Sequence, residues 1–586
     1  MTPFSVWAPQ AKKVEVEVRG RRHAMTAGEN GWWFAELSLD DGAADYRFVV
    51  DGGQPLPDPR SSWQPGGVHG PSRIVDHRAF PWTDQRWQAP PLAAAVIYEL
   101  HIGTFTTEGT FTAAIDKLDH LVRLGVTHVE LMPVAEFPGS RGWGYDGVDL
   151  FAPHHAYGGP DGLKRLVDAC HARRLAVILD VVYNHLGPAG NYLSNFGPYF
   201  TERYATPWGQ AVNFDDGGSE QVRRFFCDNA LMWLGHYHFD TLRIDAVHAI
   251  FDSSALHILE QLAAEVDELA ASHARHLTLI AESDLNDPRV VRPRAVGGYG
   301  IDAQWSDDFH HALHAALTGE REGYYADFGS LVDLARALER VFVYDGRYST
   351  YRRRRHGRSP AGLSGHSFLG YLQNHDQVGN RARGERSSHL LSLGRLKIAA
   401  ALVMTAPFIP MLFQGEEWGA RSPFLYFTDH EDAELGRAVT QGRRREFAAF
   451  GAHGEEVPDP QAAETFERSK LDWSERDREP HAELLDWHHR LIRLRRETPA
   501  FLDGHLERVR VSFDEQAKWL VMARGPAAVA CNLADGARRV PLGLGRPAAI
   551  RLASDQEARV IDDEIDLPPE SVAIVNAVED AARRRY

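Results

Sequence analysis

The sequence predicts an α/β protein in which a (β/α)8 barrel is flanked by an N-terminal and a C-terminal β-sandwich. Three observations carry this prediction. Residues 1–90 contain short apolar segments with a period of two, residues 91–504 contain eight apolar strand-like segments that alternate with helical ones, and residues 505–586 return to short strands. A chain of 586 residues is long enough for one large barrel and two smaller domains.

The first 90 residues are typical of a small β-sandwich. The segments VEVEVRG, WWFAEL and YRFVVDGG show the alternation of apolar and polar residues that a half-buried strand requires. The segment PLPDPRSSWQPGGVHGPS follows them and is rich in Pro, Gly and Ser, which indicates a linker or an ordered surface loop. At the other end of the chain, ERVRVSF, KWLVMARG, AAVACNL, ARVIDD and SVAIVNA predict the second β-sandwich.

Residues 91–504 have the alternation of a (β/α)8 barrel. The strand-like segments are VIYELHI, THVELMPV, LAVILDVVY, DTLRIDAV, LTLIAESD, AQWSDD, SFLGYLQNHD and PFIPMLFQG. Helical segments such as AAIDKLDHLVRLG and DGLKRLVDACHARR lie between them. The largest insertion, roughly residues 184–219, follows the third strand. Because the loops at the carboxyl ends of the strands build the active site of such barrels, we expect the functional residues there.

Composition and charge exclude several classes of function. The net charge is −17, so nucleic acid and anionic membranes are excluded as partners, whereas a neutral substrate is not repelled. Three cysteines lie far apart and cannot form a disulfide framework. The beginning, MTPFSVWAPQ, lacks a secretory signal, and the longest apolar run, residues 398–413, contains two prolines and is too short to span a bilayer. We expect a cytoplasmic protein.

The common cofactor and nucleophile motifs do not apply. GWGYDG matches GxGxxG, but it neither closes a strand nor opens a helix, as a dinucleotide site requires. Walker A, HExxH and GxSxG patterns are absent from the sequence. No cluster of metal ligands is recognisable either, so we predict no cofactor and no metal.

Four of the strand-like segments end in acidic residues. They are Asp180, Asp245, Glu282 and Asp376, after the third, fourth, fifth and seventh strands. A single acid there is most often a helix cap or a solvated loop residue, but four of them converge on one face of a barrel. Cleavage of an acetal needs such acids, one as proton donor and one for the oxocarbenium-like centre. Arg243 lies two residues before Asp245, so we expect it to lower the pKa of Asp245, whereas Glu282 needs a raised pKa.

In these motifs the sequence resembles the α-amylase superfamily of glycoside hydrolases. DVVYNH, LRIDAVH, AESD and QNHD occur in that family's order and with similar spacing. The resemblance implies a retaining glycoside hydrolase in which Asp245 is the nucleophile, Glu282 the general acid/base and Asp376 a third acid that holds sugar hydroxyls in the transition state. It implies supporting or sugar-contacting roles for Asp180, Arg243, His185, His375 and Tyr145.

Three further segments resemble the trehalohydrolases of that superfamily. They are PDPRSSWQPGGVHGPS, YNHLGPAGNYL and AQWSDDFHHALH. The resemblance implies hydrolysis of the α-1,4 bond next to the terminal trehalose of maltooligosyltrehalose, a neutral oligosaccharide. It implies that the substrate groove is lined by His248, Asp307, Asp308, Phe309, His310, His311, His375, Gln377 and Asn380. The residues alone also allow DDFHHALH to be an acidic helix N-terminus with solvated histidines.

Two other functions remain open at this point. A glucan branching enzyme would use the same three acids but transfer the chain to an acceptor glucan rather than to water. A non-catalytic glycan-binding protein would keep the barrel without its chemistry, which the intact set of acids argues against. The N-terminal segment SVWAPQAKKVEVEV resembles the carbohydrate-binding-like sandwich of branching enzymes, debranching enzymes and trehalohydrolases, and a purely structural cap is the alternative.

Overall fold

Eight parallel strands form a closed barrel in the computed structural model, which describes residues 2–38, 44–448 and 457–578. Each strand pairs with the next one along the chain, and the eighth pairs with the first. Barrel strands 1 to 8 are Ile97–Leu100, His128–Leu131, Ala176–Val181, Thr241–Ile244, Thr278–Ala281, Ala303–Trp305, Phe368–Gly370 and Ile409–Phe413. The predicted fold class is therefore confirmed.

Helices surround the barrel and connect its strands. The longer helices are Gly159–Ala172, Ser219–His236, Ile258–His273, Asp307–Thr318, Leu331–Arg340, Leu393–Thr405, Ala433–Ala448 and His481–Glu497. The shorter ones are Ile102–Phe105, Phe111–Ile115, Leu118–Leu124, His375–Gly379, Ser387–Leu390 and Ala463–Arg468. None of the helices in the described ranges combines the length and apolarity that crossing a membrane requires.

Two small sheets precede the barrel, one of three strands and one of four. Their strands are Thr2–Trp7, Val14–Val18, Arg21–Ala24, Thr26–Ala27, Trp32–Leu37, Asp45–Val50 and Ser72–Arg73. The strand Val14–Val18 alternates buried and half-buried residues, as its VEVEV pattern predicts. The two sheets pack against each other around an apolar core that includes Val16 and Phe48, both of which are fully buried.

The C-terminal region forms sheets of five and three strands. Their strands are Val509–Asp514, Trp519–Arg524, Ala527–Asn532, Arg538–Pro541, Ala548–Ala553, Arg559–Ile561, Glu564–Leu567 and Ser571–Ala577. Three two-stranded pairs are inserted in the barrel loops, namely Ala135–Glu136 with Asp149–Pro153, Phe200–Thr206 with Gly209–Val212, and Tyr348–Ser349 with Arg354–Arg355. The second pair lies in the predicted insertion after barrel strand 3.

The inside of the barrel is apolar toward the amino ends of its strands and polar toward their carboxyl ends. Ile97, Ile178, Ile280 and Leu369 belong to one buried apolar cluster. Since side chains alternate along a strand, the residues two positions further on point inward one layer higher. In that layer Asp180 stands in register with Arg243. Burying charged groups inside a barrel is costly unless they are paired. The paired charges of the upper layer therefore mark where the functional groups of the chain lie.

The segment between the N-terminal sheets and the barrel is fixed to the amino-terminal end of the barrel. His171 is almost fully buried and lies between two carboxylates, with Nδ1 2.8 Å from Asp84 and Nε2 3.0 Å from Asp240. Trp87 stacks on its ring. Burial alone would lower the pKa of His171, but Asp240 and Asp84 raise it above its usual value, so the fold favours the imidazolium, which bridges the connecting segment and the barrel.

Candidate active site

The four acids predicted from the sequence meet at the carboxyl end of the barrel. Asp180 lies within barrel strand 3, Asp245 and Glu282 directly follow strands 4 and 5, and Asp376 belongs to the short helix after strand 7. Parallel strands of a barrel all end on one face, which is why residues so far apart in sequence come together.

Arg243 is the centre of this group. One terminal nitrogen, Nη1, donates to Asp180 at 2.5 Å and to Asp245 at 3.0 Å, and the other, Nη2, donates to Glu282 at 2.7 Å. The side chain is fully buried, and its guanidinium lies 4.1 Å from the centroid of the Trp305 ring. A planar guanidinium can hold several carboxylates in fixed directions, so Arg243 sets the relative positions of the three acids.

The pKa of Asp245 is raised, not lowered. Burial raises it more than the positive charge of Arg243 lowers it, and a hydrogen bond from the Asn184 amide at 2.9 Å also favours the anion. The expectation that Arg243 would bring this pKa below its usual value was therefore wrong, because desolvation is the larger effect at a site with so little solvent.

Glu282 has the environment of a proton donor. Burial raises its pKa, and the negative charge of Asp245 raises it further, as expected for this residue. Arg243 and the backbone N–H of Ala246, which donates at 2.9 Å, both bind the same oxygen, Oε2. Within the described ranges no hydrogen bond reaches Oε1, so this oxygen is available to a ligand.

His375 carries a positive charge at the floor of the site. Its Nδ1 lies 2.5 Å from Oε1 of Glu99, and its Nε2 lies 2.8 Å from the Tyr145 hydroxyl, which itself donates to Asp180 at 2.6 Å. Burial alone would lower the pKa of His375, but Asp376 and Glu99 raise it to about 9. The protonated ring therefore donates on both sides and fixes the orientation of Tyr145.

His185 and Trp208 form an aromatic wall beside the four acids. The ring of His185 stacks on that of Trp208, with centroids 4.5 Å apart and planes 6° from parallel. Nε2 of His185 donates to the Tyr145 carbonyl at 3.0 Å, and burial lowers the pKa of His185 to about 4, so the ring is neutral. Trp208 comes from the strand pair of the insertion and is 49% exposed, which gives the site an apolar face open to a ligand.

Asp307 is a further acid beside this group. It follows barrel strand 6, and its Oδ1 accepts a hydrogen bond from the Tyr371 hydroxyl at 2.6 Å. Burial raises its pKa to about 7, with the negative charge of Glu282 as the next contribution.

The other four residues of the DDFHH segment are turned toward internal partners. Asp308 accepts from the backbone N–H groups of Val343 and Tyr344 and from Asn286, and Phe309 is fully buried against Phe408. The ring nitrogens of His310 contact the Leu372 carbonyl and the Tyr325 hydroxyl. His311 packs among Tyr324, Tyr325 and Phe328. Of the segment, the structure brings Asp307 alone next to the acids.

The remaining predicted groove residues lie near two of the acids. His248 lines a cavity of about 490 Å³ together with Ser283, the residue that follows Glu282 in the chain. Asn380 donates from Nδ2 to Asp376 at 3.1 Å. Gln377 lies between them in sequence, and its Oε1 is buried without a hydrogen-bond partner in the described part of the chain.

One group of described residues has three potential metal ligands within reach of a single ion, namely Glu136, His154 and His155. It lies outside the four-acid site. Nδ1 of His154 accepts a hydrogen bond from the backbone N–H of Ala156, so the ring proton sits on Nε2, the nitrogen that would have to bind the ion. His155 is already paired with Glu136 at 2.7 Å. The donor set therefore does not fit a metal, and we assign none to it.

Comparison with known proteins gives the family. Residues 79–204 match the model of the α-amylase catalytic domain, and residues 504–574 match a domain of unknown function, DUF3459. The malto-oligosyltrehalose trehalohydrolase of Arthrobacter ramosus is 53% identical over 92% of this chain and 94% of its own length. The enzyme of that name from Rhizobium sp. (strain M-11) is 49% identical over 98% of this chain and 97% of its own. The chain belongs to the malto-oligosyltrehalose trehalohydrolase family.

Solved structures agree with this family membership. A crystal structure of an α-amylase candidate from Salmonella typhimurium superimposes with a TM-score of 0.90 at 37% identity, covering 98% of this chain and 97% of the other. Similarity to a branching enzyme is more limited. The 1,4-alpha-glucan branching enzyme of Vibrio parahaemolyticus is 33% identical over 53% of this chain. The trehalohydrolase family thus accounts for both ends of the chain as well as for its barrel.

Several residues of this trehalohydrolase-family site were missed in the sequence, among them Asn184, Glu99, Glu130 and Trp208. Glu99 lies in the first strand, VIYELHI, and Glu130 in the second, THVELMPV, where an acid within a buried strand was the available signal. The two stand in register on neighbouring strands. Trp208 had a weaker signal, a tryptophan in a polar insertion. Neither oxygen of Glu130 has a hydrogen-bond partner in the described residues, and burial, together with the charge of Glu99, raises its pKa.

Proposed function

We propose that this chain is a glycoside hydrolase that cleaves the α-1,4-glucosidic bond next to the terminal trehalose of maltooligosyltrehalose, releasing trehalose with retention at the anomeric carbon. The observation that carries the chemistry is the contact of one buried guanidinium, that of Arg243, with three carboxylates. The near full-length similarity to trehalohydrolases supports the substrate.

Asp245 is the nucleophile of this proposal. It attacks the anomeric carbon of the sugar in subsite −1, and the bond between that carbon and the glycosidic oxygen breaks. Attack requires the ionised carboxylate, and burial disfavours ionisation. Arg243 and Asn184 offset that cost by hydrogen bonds to the two oxygens of Asp245, one to each. The carboxylate thereby remains an anion in a place that water scarcely reaches.

Glu282 is the general acid and then the general base. It gives its proton to the glycosidic oxygen, so the departing trehalose leaves with a hydroxyl group. Its carboxylate then takes a proton from the water that attacks the covalent intermediate and frees Asp245. Arg243 and Ala246 occupy Oε2, which leaves Oε1 for the proton transfer.

Asp376, Tyr145 and His375 hold the sugar in subsite −1. Asp376 offers a partly exposed carboxylate to the sugar hydroxyls, and Tyr145 offers a ring that stacks on His375 at 5.1 Å between centroids. The positively charged ring of His375 stacks on Tyr145 and is hydrogen-bonded to Glu99. Asp180 completes the arrangement by fixing both Arg243 and the Tyr145 hydroxyl. Each of these groups acts by position and charge, since none of them needs to form a covalent bond.

The trehalose unit would lie beyond Glu282. The cavity of about 490 Å³ that His248 lines includes Ser283, the residue after Glu282, and its volume falls in the range of small-ligand sites. Asp307 also lies near Glu282, and one of its oxygens is free of hydrogen bonds in the described ranges. These polar groups form the part of the groove that we assign to the α,α-1,1-linked disaccharide.

We assign the domains as residues 1–90, 91–504 and 505–586. The first has a supporting role in this proposal, because Trp7 packs edge-on against Tyr199 of the insertion that carries Trp208. Gly197 lies directly under the same ring, where a Cβ atom would be 2.6 Å from it. The N-terminal sandwich thus supports one wall of the active site.

Product analysis tests the proposed function. The purified protein is incubated with maltooligosyltrehalose and, separately, with amylose, and the products are identified by chromatography and by NMR of the first-formed anomer. We expect free trehalose and a maltooligosaccharide whose new reducing end is α. New α-1,6 branches would establish the branching-enzyme alternative, and binding without any product would establish the glycan-binding alternative.

A further inference from the structure

A helix that follows barrel strand 8 reaches the loop after barrel strand 7, in which the short helix His375–Gly379 carries Asp376. The helix is Ala433–Ala448, and Arg443 points from it toward the site. The guanidinium of Arg443 lies over the rings of both Tyr426 and Phe447, at 4.8 Å from each centroid. Its side chain is only 14% exposed, so the position of this cation is well defined by packing.

Arg443 donates two hydrogen bonds to the loop. Nη2 donates to the carbonyl of Gly379 at 2.8 Å, and Nη1 donates to Oδ1 of Asn380 at 3.1 Å. Asn380 in turn donates from Nδ2 to Oδ1 of Asp376 at 3.1 Å. The three residues form a continuous chain of hydrogen bonds from the helix to the acid.

The direction of this chain has a chemical consequence. A guanidinium only donates, so it selects the amide orientation of Asn380 in which the oxygen faces Arg443. The amide nitrogen must then face Asp376, where it donates to the carboxylate. Without Arg443 the amide of Asn380, which is exposed, could rotate and present its oxygen to the carboxylate, and two acceptors would repel each other.

The loop is also fixed from its other side. Gly379 lies against the ring of Trp143 so closely that a Cβ atom would be 2.0 Å from it. Trp143 contacts Tyr426 edge-on, with centroids 5.1 Å apart, and Tyr426 is one of the two rings that hold Arg443. The backbone at Gly379 is thus held between an indole and a guanidinium.

We propose that Arg443 is a positioning residue for the hydrolysis: through Asn380 it fixes the carboxylate of Asp376 in the direction that the sugar in subsite −1 requires. The proposal rests on the role given to Asp376 under the proposed function. Asp376 needs such support because its side chain is 37% exposed and the amide of Asn380 is its one hydrogen-bond donor at normal distance in the described residues. Nε2 of His375 lies 3.6 Å from the same oxygen, beyond hydrogen-bond distance, and an exposed carboxylate with one hydrogen-bond donor otherwise has several rotamers available.

The test compares variants of Arg443 and Asn380 in the full-length protein. We expect Arg443→Met to lower kcat by about tenfold to a hundredfold with KM within about twofold, since a misplaced group costs mainly in the transition state. Arg443→Lys should recover part of the loss, because a lysine still donates but cannot make both bonds at once. Arg444→Ala is the matched control, an exposed arginine on the same helix, and should leave kcat unchanged.

A double-mutant cycle separates positioning from general support. If Arg443 acts through the amide, Arg443→Met should cost little more in an Asn380→Ala background than Asn380→Ala costs alone. Fully additive losses, or an unchanged kcat for Arg443→Met, would overturn the proposal. Thermal melts are recorded for every variant, and if Arg443→Met does not fold, the cycle is run with Arg443→Lys.

The substrates keep this test independent of trehalose specificity. All variants are assayed on trehalose-capped and on plain maltooligosaccharides of equal length. Asp376 would hold the same sugar in either case, so the loss in kcat should be equal on both substrates. A wild type that cleaves only plain chains would contradict the proposed function, while the ratio of variant to wild type would still decide the role of Arg443.

Discussion

The hydroxyl of Tyr371 donates a hydrogen bond of 2.6 Å to Asp307, next to the acids of the active site. Tyr371 follows barrel strand 7 and Asp307 follows strand 6, so the bond joins two neighbouring strand ends. Hydrogen bonding to Tyr371 lowers the pKa of Asp307, but burial and the charge of Glu282 raise it to about 7. Asp307 and Glu282 are therefore two neighbouring acids that compete for protons.

This competition makes the activity profile depend on Asp307. As the pH rises through about 7, Asp307 becomes negative and opposes the loss of the proton from Glu282. Asp307→Asn removes that charge and keeps an acceptor for Tyr371, so Glu282 should lose its proton at a lower pH. We expect the alkaline limb of kcat/KM to move to lower pH by about one unit. An alkaline limb at the wild-type position would show that Asp307 does not affect the general acid.

Asp245→Asn should abolish turnover while the fold survives. The amide is nearly isosteric with the carboxylate, but it cannot form the covalent intermediate, so kcat should fall about a thousandfold or more. The measurement is steady-state hydrolysis together with a circular dichroism melt. Asp535→Asn, at an acid whose side chain is 88% exposed, is the control and should behave as the wild type. Activity of the Asp245 variant within tenfold of wild type, with contamination excluded, would be incompatible with a nucleophile.

Glu282→Gln should impair both chemical steps, but unequally for different leaving groups. General acid catalysis contributes about a hundredfold to ten-thousandfold, and a good leaving group needs little of it. We therefore expect the glycosylation step to lose much less on an activated aryl α-glycoside than on a natural oligosaccharide. Pre-steady-state kinetics on both substrates measure the difference. Equal losses on the two would argue that Glu282 has only a structural role.

The contacts of His171 with Asp84 and Asp240 should make the stability of the fold depend on pH. The folded pKa of His171 is raised above 6.5, so its contribution to stability is fully present below that pH and is lost as the pH rises through the folded pKa. The pKa of Asp240 is lowered, so its contribution is lost only in acid. His171→Gln cannot be charged. We expect the difference in Tm between wild type and His171→Gln to be larger at pH 6 than at pH 9, by at least about 1 °C.

That difference is measured by calorimetry in buffers of equal ionic strength. His276→Gln, at an exposed histidine that makes no hydrogen bond or ion pair within the described residues, is the control for general titration effects. A difference in Tm that is the same at both pH values would mean that His171 is neutral between Asp84 and Asp240.

The acids at the strand ends were predictable because they depend only on topology. Once the order of the barrel strands is known, Asp180, Asp245 and Glu282 must point to one face, whatever packs around them. The same argument could not find Glu99 or Glu130, since an acid inside an apolar strand has a function only through a partner such as His375, far away in sequence. Side-chain partners of this kind are a property of the tertiary structure.

The DDFHH segment shows where local inference ends. The resemblance to trehalohydrolases implied five groove residues here, but a helix turns its side chains by 100° per residue, so neighbours on helix Asp307–Thr318 face different surroundings. Asp307 faces the acids, whereas Asp308 binds the backbone of Val343 and Tyr344. The prediction that the pKa of Asp245 would be lowered failed for a related reason, because the burial of a single side chain cannot be read from a sequence.

Discrimination between trehalose-capped and plain maltooligosaccharides tests the central claim most directly. The α,α-1,1 linkage gives the terminal disaccharide a shape unlike maltose, so polar groups matched to it, such as those around Asp307 and His248, would be left unpaired by maltose. Each unpaired buried group costs about 1–3 kcal/mol, so one or two suffice for about tenfold or more. The measurement is kcat/KM for two substrates of equal length that differ only in the trehalose end. We expect the capped substrate to be preferred by at least about tenfold, with trehalose as the product. Equal kcat/KM values for the two, or transfer to α-1,6 branches in place of hydrolysis, would contradict the account.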